Sequence, residues 1–96
     1  MPSLLGQVEL AEVLDLTTVQ QLREDLAAAI AEHNIIHIDA SKVERAGTPA
    51  IQVVLAAGRD LSADNRKVVI TKASDVFRAA FRDLGLDQQF SEWSEE

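Results

Sequence analysis

Three hydroxyls, Ser41, Thr48 and Ser74, are the candidate nucleophiles of this chain, and His33 and His37 are its only imidazoles. A hydroxyl becomes a useful nucleophile beside a base that takes its proton. None of the three sits in a GxSxG elbow, and neither histidine is placed by sequence as that base. The histidines are four residues apart, but one falls near a helix end and the other in a strand, so ligation from one helical face does not apply. There is no HExxH, and the neighbouring carboxylates form no evident metal set. For His37 the expectation is a strand histidine held by a hydrogen bond. Gly6, Gly47, Gly58 and Gly85 are scattered, without a GxGxxG or GxxxxGK[ST] phosphate cradle. Glu24 with Asp25, and Asp60 with Asp64, read as a solvated helix face and a turn. Catalysis is not expected, and neither is a metal or a cofactor.

Thr48 is the hydroxyl in the most suggestive setting. It lies in "DASKVERAGTPAIQVVLAAGRDL", residues 39–61, where an apolar strand turns into a long apolar helix. Threonine followed by proline ordinarily opens a helix, the hydroxyl capping backbone N–H groups and Pro49 filling the first turn. The same geometry has a functional alternative. A phosphate or a partner's carboxylate at this end would meet unpaired N–H groups and the positive end of the helix dipole. A phosphoryl group there would add a charge of about −1.5 to −2 beside a row of small apolar residues, Ala50, Val53 and Ala57. That row reads either as a contact surface or as secondary core.

These residues must be positioned by one small domain, residues 1–96, with its core at about 8–86. The composition is 47% hydrophobic and 26% charged, ordinary for a globular protein. Three Phe, one Trp and no Tyr predict a core built from aliphatic side chains. A net charge of −7 argues against nucleic acid or an anionic membrane as the main partner, since both reward clustered Lys and Arg. The chain has no cysteine, so disulfides and thiolate chemistry are excluded. No apolar run approaches the roughly 20 residues that span a bilayer, and Met1 to Gly6 show no basic n-region followed by an apolar h-region. A cytoplasmic protein is the expectation. The acidic segment 87–96 reads as a solvated, partly frayed tail, or else as one folded back through Phe90 and Trp93.

"VEL" at 8–10 reads as a strand leading towards Leu14. Thr18 with Gln21 fits a capping box that opens a first helix, whose stripe is Val19, Leu22, Leu26 and Ile30. "IIHIDA" at 35–40 suits a central parallel strand buried on both faces. The second helix turns Ile51, Val54, Leu55, Gly58 and Leu61 inward. "SADNR" is a turn and "KVVIT" at 67–71 a strand. Ser74 or Asp75 starts a third helix with Val76, Phe77, Ala80, Phe81 and Leu84 on one face, stopped at Gly85. Strand–helix alternation of this kind predicts an α/β fold: a largely parallel or mixed sheet with about three helices packed against it.

The quoted stretch, with "VLDLTTVQQLREDL" before it, resembles the STAS family, the domain of bacterial anti-sigma factor antagonists. Leu14 and Asp15 match the family's "LD" before the first helix, and Asp39, Ser41 and Val43 match its "D-x-S-x-V". The segment that closes the motif normally runs Asp, Ser/Thr, Ser/Thr/Ala, Gly, aliphatic. Here it runs Gly47, Thr48, Pro49, Ala50, Ile51. Proline stands where the sigma-factor regulators usually carry their phosphorylated hydroxyl, so the usual kinase–phosphatase cycle at that position is excluded. Thr48, one residue earlier, is where members that partner lipid-transport ATPases resemble one another in using a threonine. Members with a "GT" version of the loop resemble chemotaxis accessory proteins. The family's leading strand is abbreviated here, leaving a sheet edge that either pairs with another chain or is covered by the few residues before "VEL".

The resemblance implies a non-enzymatic module that binds a protein partner through the loop and second helix. Gly47, Thr48, Pro49, Ala50, Val53 and Ala57 would be its contact residues, Thr48 the first regulatory or phosphoacceptor candidate and Ser41 the second. The expected partner is an anti-sigma kinase-like or chemotaxis signalling protein. An ABC-type lipid transporter's cytosolic ATPase is the alternative, and a small-ligand-binding module the third reading. Neither nucleic-acid binding nor direct membrane insertion is expected.

Overall fold

The computed structural model describes residues 6–94. Residues 1–5 and 95–96 lie outside it, and with them the expectation that the first residues cover a sheet edge and the last two carboxylates of the acidic segment. The elements are β1 (Gly6–Glu9), β2 (Val13–Leu14), α1 (Val19–Glu32), β3 (Ile35–Ala40), β4 (Arg45–Ala46), α2 (Thr48–Ala63), β5 (Lys67–Ala73), α3 (Asp75–Asp83) and α4 (Asp87–Trp93). They form the small, largely parallel α/β architecture read from the sequence, with four helices rather than three.

β3 is the central strand. It pairs parallel with β1 (Gln7 opposite His37) and with β5 (His37 opposite Val69), giving the order β1-β3-β5. Its β-branched run suits this place, but burial on both faces is not found. Ile36, Ile38 and Ala40 are buried, while Ile35, His37 and Asp39 are half-buried. The helices cover the face carrying Val8, Ile36, Ile38, Val68 and Ile70, so only alternate residues enter the core. His37 sits on the other face, and its ring has no hydrogen-bond partner among the described residues. A one-residue irregularity after Ile38 shifts the β5 register, so that Asp39 faces Lys72.

α1 buries Leu22 and Leu26, with Ile30 packed at the core margin. Its C-terminal carbonyls are held by Arg66, whose Nη1 donates to the Ile30 oxygen at 2.7 Å. α2 is the most deeply seated helix. Ala50, Ile51, Val54, Ala57, Gly58 and Leu61 are all buried, so two residues expected on its surface row, Ala50 and Ala57, belong to the core. Val53 and Leu55 are half-buried. Asn65, with φ 61°, ends the turn after α2 in the left-handed conformation that asparagine tolerates.

Ser74 caps α3 by accepting from the Phe77 N–H at 3.1 Å, and Gly85 (φ 74°) stops it. Phe77 and Phe81 are fully buried, whereas Val76 and Leu84 are not part of the inner face. The expectation of an aliphatic core fails at this end of the domain. Phe77, Phe81 and Phe90 pack with ring centroids 5.3 to 6.5 Å apart, a tilted arrangement favoured by the ring quadrupoles.

Within residues 87–94 the acidic segment is not frayed. Residues 87–93 form α4, with Phe90 and Trp93 buried, and Ser94 makes a parallel bridge to Ile70 on the outer edge of β5. Trp93 lies across Gly58 of α2. A β-carbon built on Gly58 would overlap the six-membered ring of the indole, so the helix presents a notch that only glycine leaves open. Gly58→Ala should therefore lower unfolding stability by about 1–3 kcal/mol, through overpacking. Urea titration followed by the emission of this single tryptophan checks it, with a red shift expected in the native baseline as the ring is displaced.

Candidate functional site

In a parallel sheet with helical crossovers, the loops that leave the carboxyl ends of the strands gather at one end of the domain, and binding residues are commonly carried there. This chain places the β2–α1 loop, the segment after β3, the β4–α2 turn and the β5–α3 turn at that end. β2 and β4 form their own two-stranded parallel pair, Val13 opposite Arg45 and Leu14 opposite Ala46. The Gly47 N–H donates to the Leu14 carbonyl at 2.8 Å, and the Glu44 and Arg45 N–H groups both reach the Glu12 carbonyl. Residues 15–18 and 47–49 therefore leave the same short ladder side by side.

Thr48 does not do the capping expected of it. Gly47 is the N-cap of α2, Thr48 is already the first helical residue, and Pro49 follows it. The Ala50 and Ile51 N–H groups are satisfied by the Gly47 carbonyl. The Thr48 side chain is exposed, and its hydroxyl has no hydrogen-bond partner among the described residues. Gly47 is half-buried and Pro49 exposed. Pro49, Val53 and Ala57 line a groove of about 410 Å³ against Leu26 and Ile30 of α1, while Ala50, fully buried, offers no side chain to a partner.

Ser41 stands at the end of β3 with its hydroxyl engaged. It donates to Asp39 Oδ1 at 2.7 Å, and its N–H donates to the same oxygen at 3.0 Å. These two bonds hold the Asp39 carboxyl below its ordinary pKa, with smaller help from Lys72 and Lys42. Lys42 is itself raised, chiefly by its hydrogen bond and ion pair with Glu9 at 2.8 Å. Both partners of that pair are largely exposed, so it contributes little to stability.

The β2–α1 loop repeats the Asp39–Ser41 device. Asp15 Oδ1 accepts from the Thr17 hydroxyl at 2.6 Å and the Thr17 N–H at 2.8 Å, which lowers the Asp15 pKa. Thr18 reaches back, accepting from the Asp15 N–H at 3.0 Å and donating to the Val13 carbonyl at 2.8 Å. Thr18 thus supplies the reach-back half of a capping box, three residues earlier than Thr18 and Gln21 would make it, while the Asp15 carboxylate is taken by Thr17. Thr18 forms no forward cap, and Gln21 bonds Asp25 instead. Between the two capping residues the loop displays Leu16, 77% exposed, a residue that sequence reasoning passed over. Its alternation with Leu14 hides the fact that the chain turns at Asp15.

The geometry defines a class: a small parallel α/β domain whose loop end offers a spare hydroxyl and an exposed leucine, with no cluster of potential metal ligands among the described residues. A family model described as "Mlab, STAS domain" matches residues 5–92. The chain belongs to the STAS domain family. Its fold is similar to that of the anti-sigma factor antagonist SpoIIAA in its unphosphorylated form, with TM-score 0.76 and 22% identity over 98% of this chain and 81% of that one. The phosphorylated form of the Bacillus cell fate determinant SpoIIAA gives TM-score 0.73 and 22% identity over 95% and 80%. Among curated proteins no sequence matches. No helix of the described residues is long and apolar enough to cross a membrane.

The Asp39 turn carries a pH signature. A carboxyl whose folded pKa lies below its unfolded one adds stability above the unfolded value, and the contribution is lost as pH falls through the folded value. Asp39→Asn should thus be less stable than wild type at neutral pH, and the gap should close on acidification below the ordinary carboxylate range. Unfolding midpoints of both proteins between neutral and strongly acidic pH measure this. A gap constant with pH would remove the carboxylate from the turn's stability.

Proposed function

We propose that this chain is a regulatory STAS module that acts by protein–protein contact at the loop end of the sheet, with Thr48 as its contact or phosphoacceptor residue. The observation that carries the reading is the Thr48 hydroxyl: exposed, at the first position of α2, and without structural work among the described residues. Gly47 holds the N-cap position, so the Thr48 hydroxyl is not spent on capping. Family membership supports a regulatory, non-enzymatic binder of the anti-sigma antagonist type, and the SpoIIAA structures are of a protein seen both unphosphorylated and phosphorylated.

A cytoplasmic signalling protein, either an anti-sigma kinase-like or a chemotaxis component, is the proposed partner. Gly47, Pro49 and Val53 flank Thr48 in the contact, and Ser41 is a second regulatory hydroxyl, its bond to Asp39 having first to be exchanged. The Thr48–Pro49 pair favours one other reading, an accessory role on the ATPase of an ABC-type lipid transporter, because transporter-associated members resemble this chain in placing threonine there.

The test is a pull-down from native lysate with wild type and Thr48→Glu as parallel baits. Wild type should retain a signalling partner that Thr48→Glu loses, with thermal melts of the two baits unchanged. Retention of the same partner by both baits would leave Thr48 outside the mechanism.

A further inference from the structure

We propose that Leu16 is the apolar anchor by which this surface selects its protein partner, a partner that offers a leucine-sized socket beside its contact to Thr48. The inference deepens the reading of the Thr48 surface and rests on it. Leu16 is the most exposed large hydrophobic side chain described, at 77%, against 42% for Val76 and 41% for Leu84. A single exposed leucine is unremarked on most surfaces. This one differs in how its backbone is held.

The residues on both sides of Leu16 are pinned. Asp15 Oδ1 holds the Thr17 N–H and hydroxyl, and the Thr18 hydroxyl ties the Asp15 N–H to the Val13 carbonyl. The Thr18 and Val19 N–H groups both donate to the Asp15 carbonyl. Turning Leu16 inward would break this set. The neighbouring cavity, about 320 Å³, is walled by Leu10, Leu14, Thr18 and Leu22 and not by Leu16. The backbone that displays the leucine is therefore held, and the backbone share of the ordering that binding ordinarily costs is already met by the turn.

Its neighbours decide what it meets. Gly47 donates to the Leu14 carbonyl, so Leu16 and Thr48 each lie two residues beyond a paired position of the β2–β4 ladder, Leu14 opposite Ala46. The tip shows the leucine beside the Asp15 carboxylate, whose Oδ1 is already engaged within the loop. The net charge of −7 disfavours an anionic membrane as the apolar surface. A protein socket fits both groups at once: apolar for Leu16, polar for Thr48.

The test uses the partner recovered with wild-type bait, purified and titrated against wild type, Leu16→Ser, Leu84→Ser and Thr48→Glu. Leu16→Ser should raise Kd roughly tenfold to a hundredfold, the range of a buried anchor, with an unchanged melt. Leu84→Ser, exposed elsewhere, should bind as wild type does. Wild-type affinity in Leu16→Ser together with loss in Thr48→Glu overturns the anchor and leaves the Thr48 reading standing. Loss in Leu16→Ser with none in Thr48→Glu supports the anchor and removes Thr48. If Leu84→Ser loses as much as Leu16→Ser, the effect is general surface polarity and the anchor falls. If wild type retains no partner, both readings fall.

Discussion

Parallel pairing on both sides of β3 is the constraint from which the rest of the domain follows. A strand joined parallel to both neighbours cannot be reached by a tight hairpin, so each connection must cross over, and here each crossover carries a helix. The crossovers bring α1 and α2 onto one face of the sheet, against Val8, Ile36, Ile38, Val68 and Ile70. The opposite face keeps Ile35, His37 and Val69 only half-buried. That one-sidedness explains why β3 alternates in burial although three of its first four residues are isoleucine. It also sends every strand-to-helix loop to the same end.

The arrangement at that end is local and economical. β2 and β4 are only two residues each, yet their ladder sets the β2–α1 loop beside the start of α2. The Asp15–Thr17 and Asp39–Ser41 turns use one chemistry twice: a carboxylate at a strand end accepts both the N–H and the hydroxyl of the residue two places on. Each turn replaces a backbone ladder that has run out with a side-chain partner. Rigid loops follow without any core of their own.

The order of elements was legible because periodicity and breakers agreed. The isoleucines of β3, the Ser74 cap and Gly85 stop of α3, and the apolar stripe of α2 each pointed one way. Three features were hidden for specific reasons. α4 lay in a stretch whose charge suggested solvation, and its docking depends on a notch at Gly58 that only the tertiary arrangement shows. Ala50 and Ala57 could have been surface or core, because small side chains satisfy both, and the depth of α2 decided for core. Thr18 and Gln21 had the spacing of a capping box, but Asp15 is also three residues before Thr18 and claimed it first. At the candidate site, Thr48 was visible as a residue type in a setting, while Leu16 was not, since nothing in "LDLT" says which leucine the turn exposes.

Thr48 matters because of what its neighbours remove. Pro49 has neither hydroxyl nor N–H, and Gly47 takes the capping position without a side chain, so the first turn of α2 holds a single hydroxyl that its fold does not use. The same turn has no acidic residue. A negative group added at Thr48 would meet the positive end of the helix dipole with no carboxylate of that turn to repel it. Modification there would leave the helix intact and alter only the face shown to a partner. Asp39 and Ser41 show the contrast, for a phosphoryl group on Ser41 would break the turn that holds the loop after β3. The fold thus leaves one hydroxyl unused and engages the other in a turn, and a switch that must spare that turn belongs on the first.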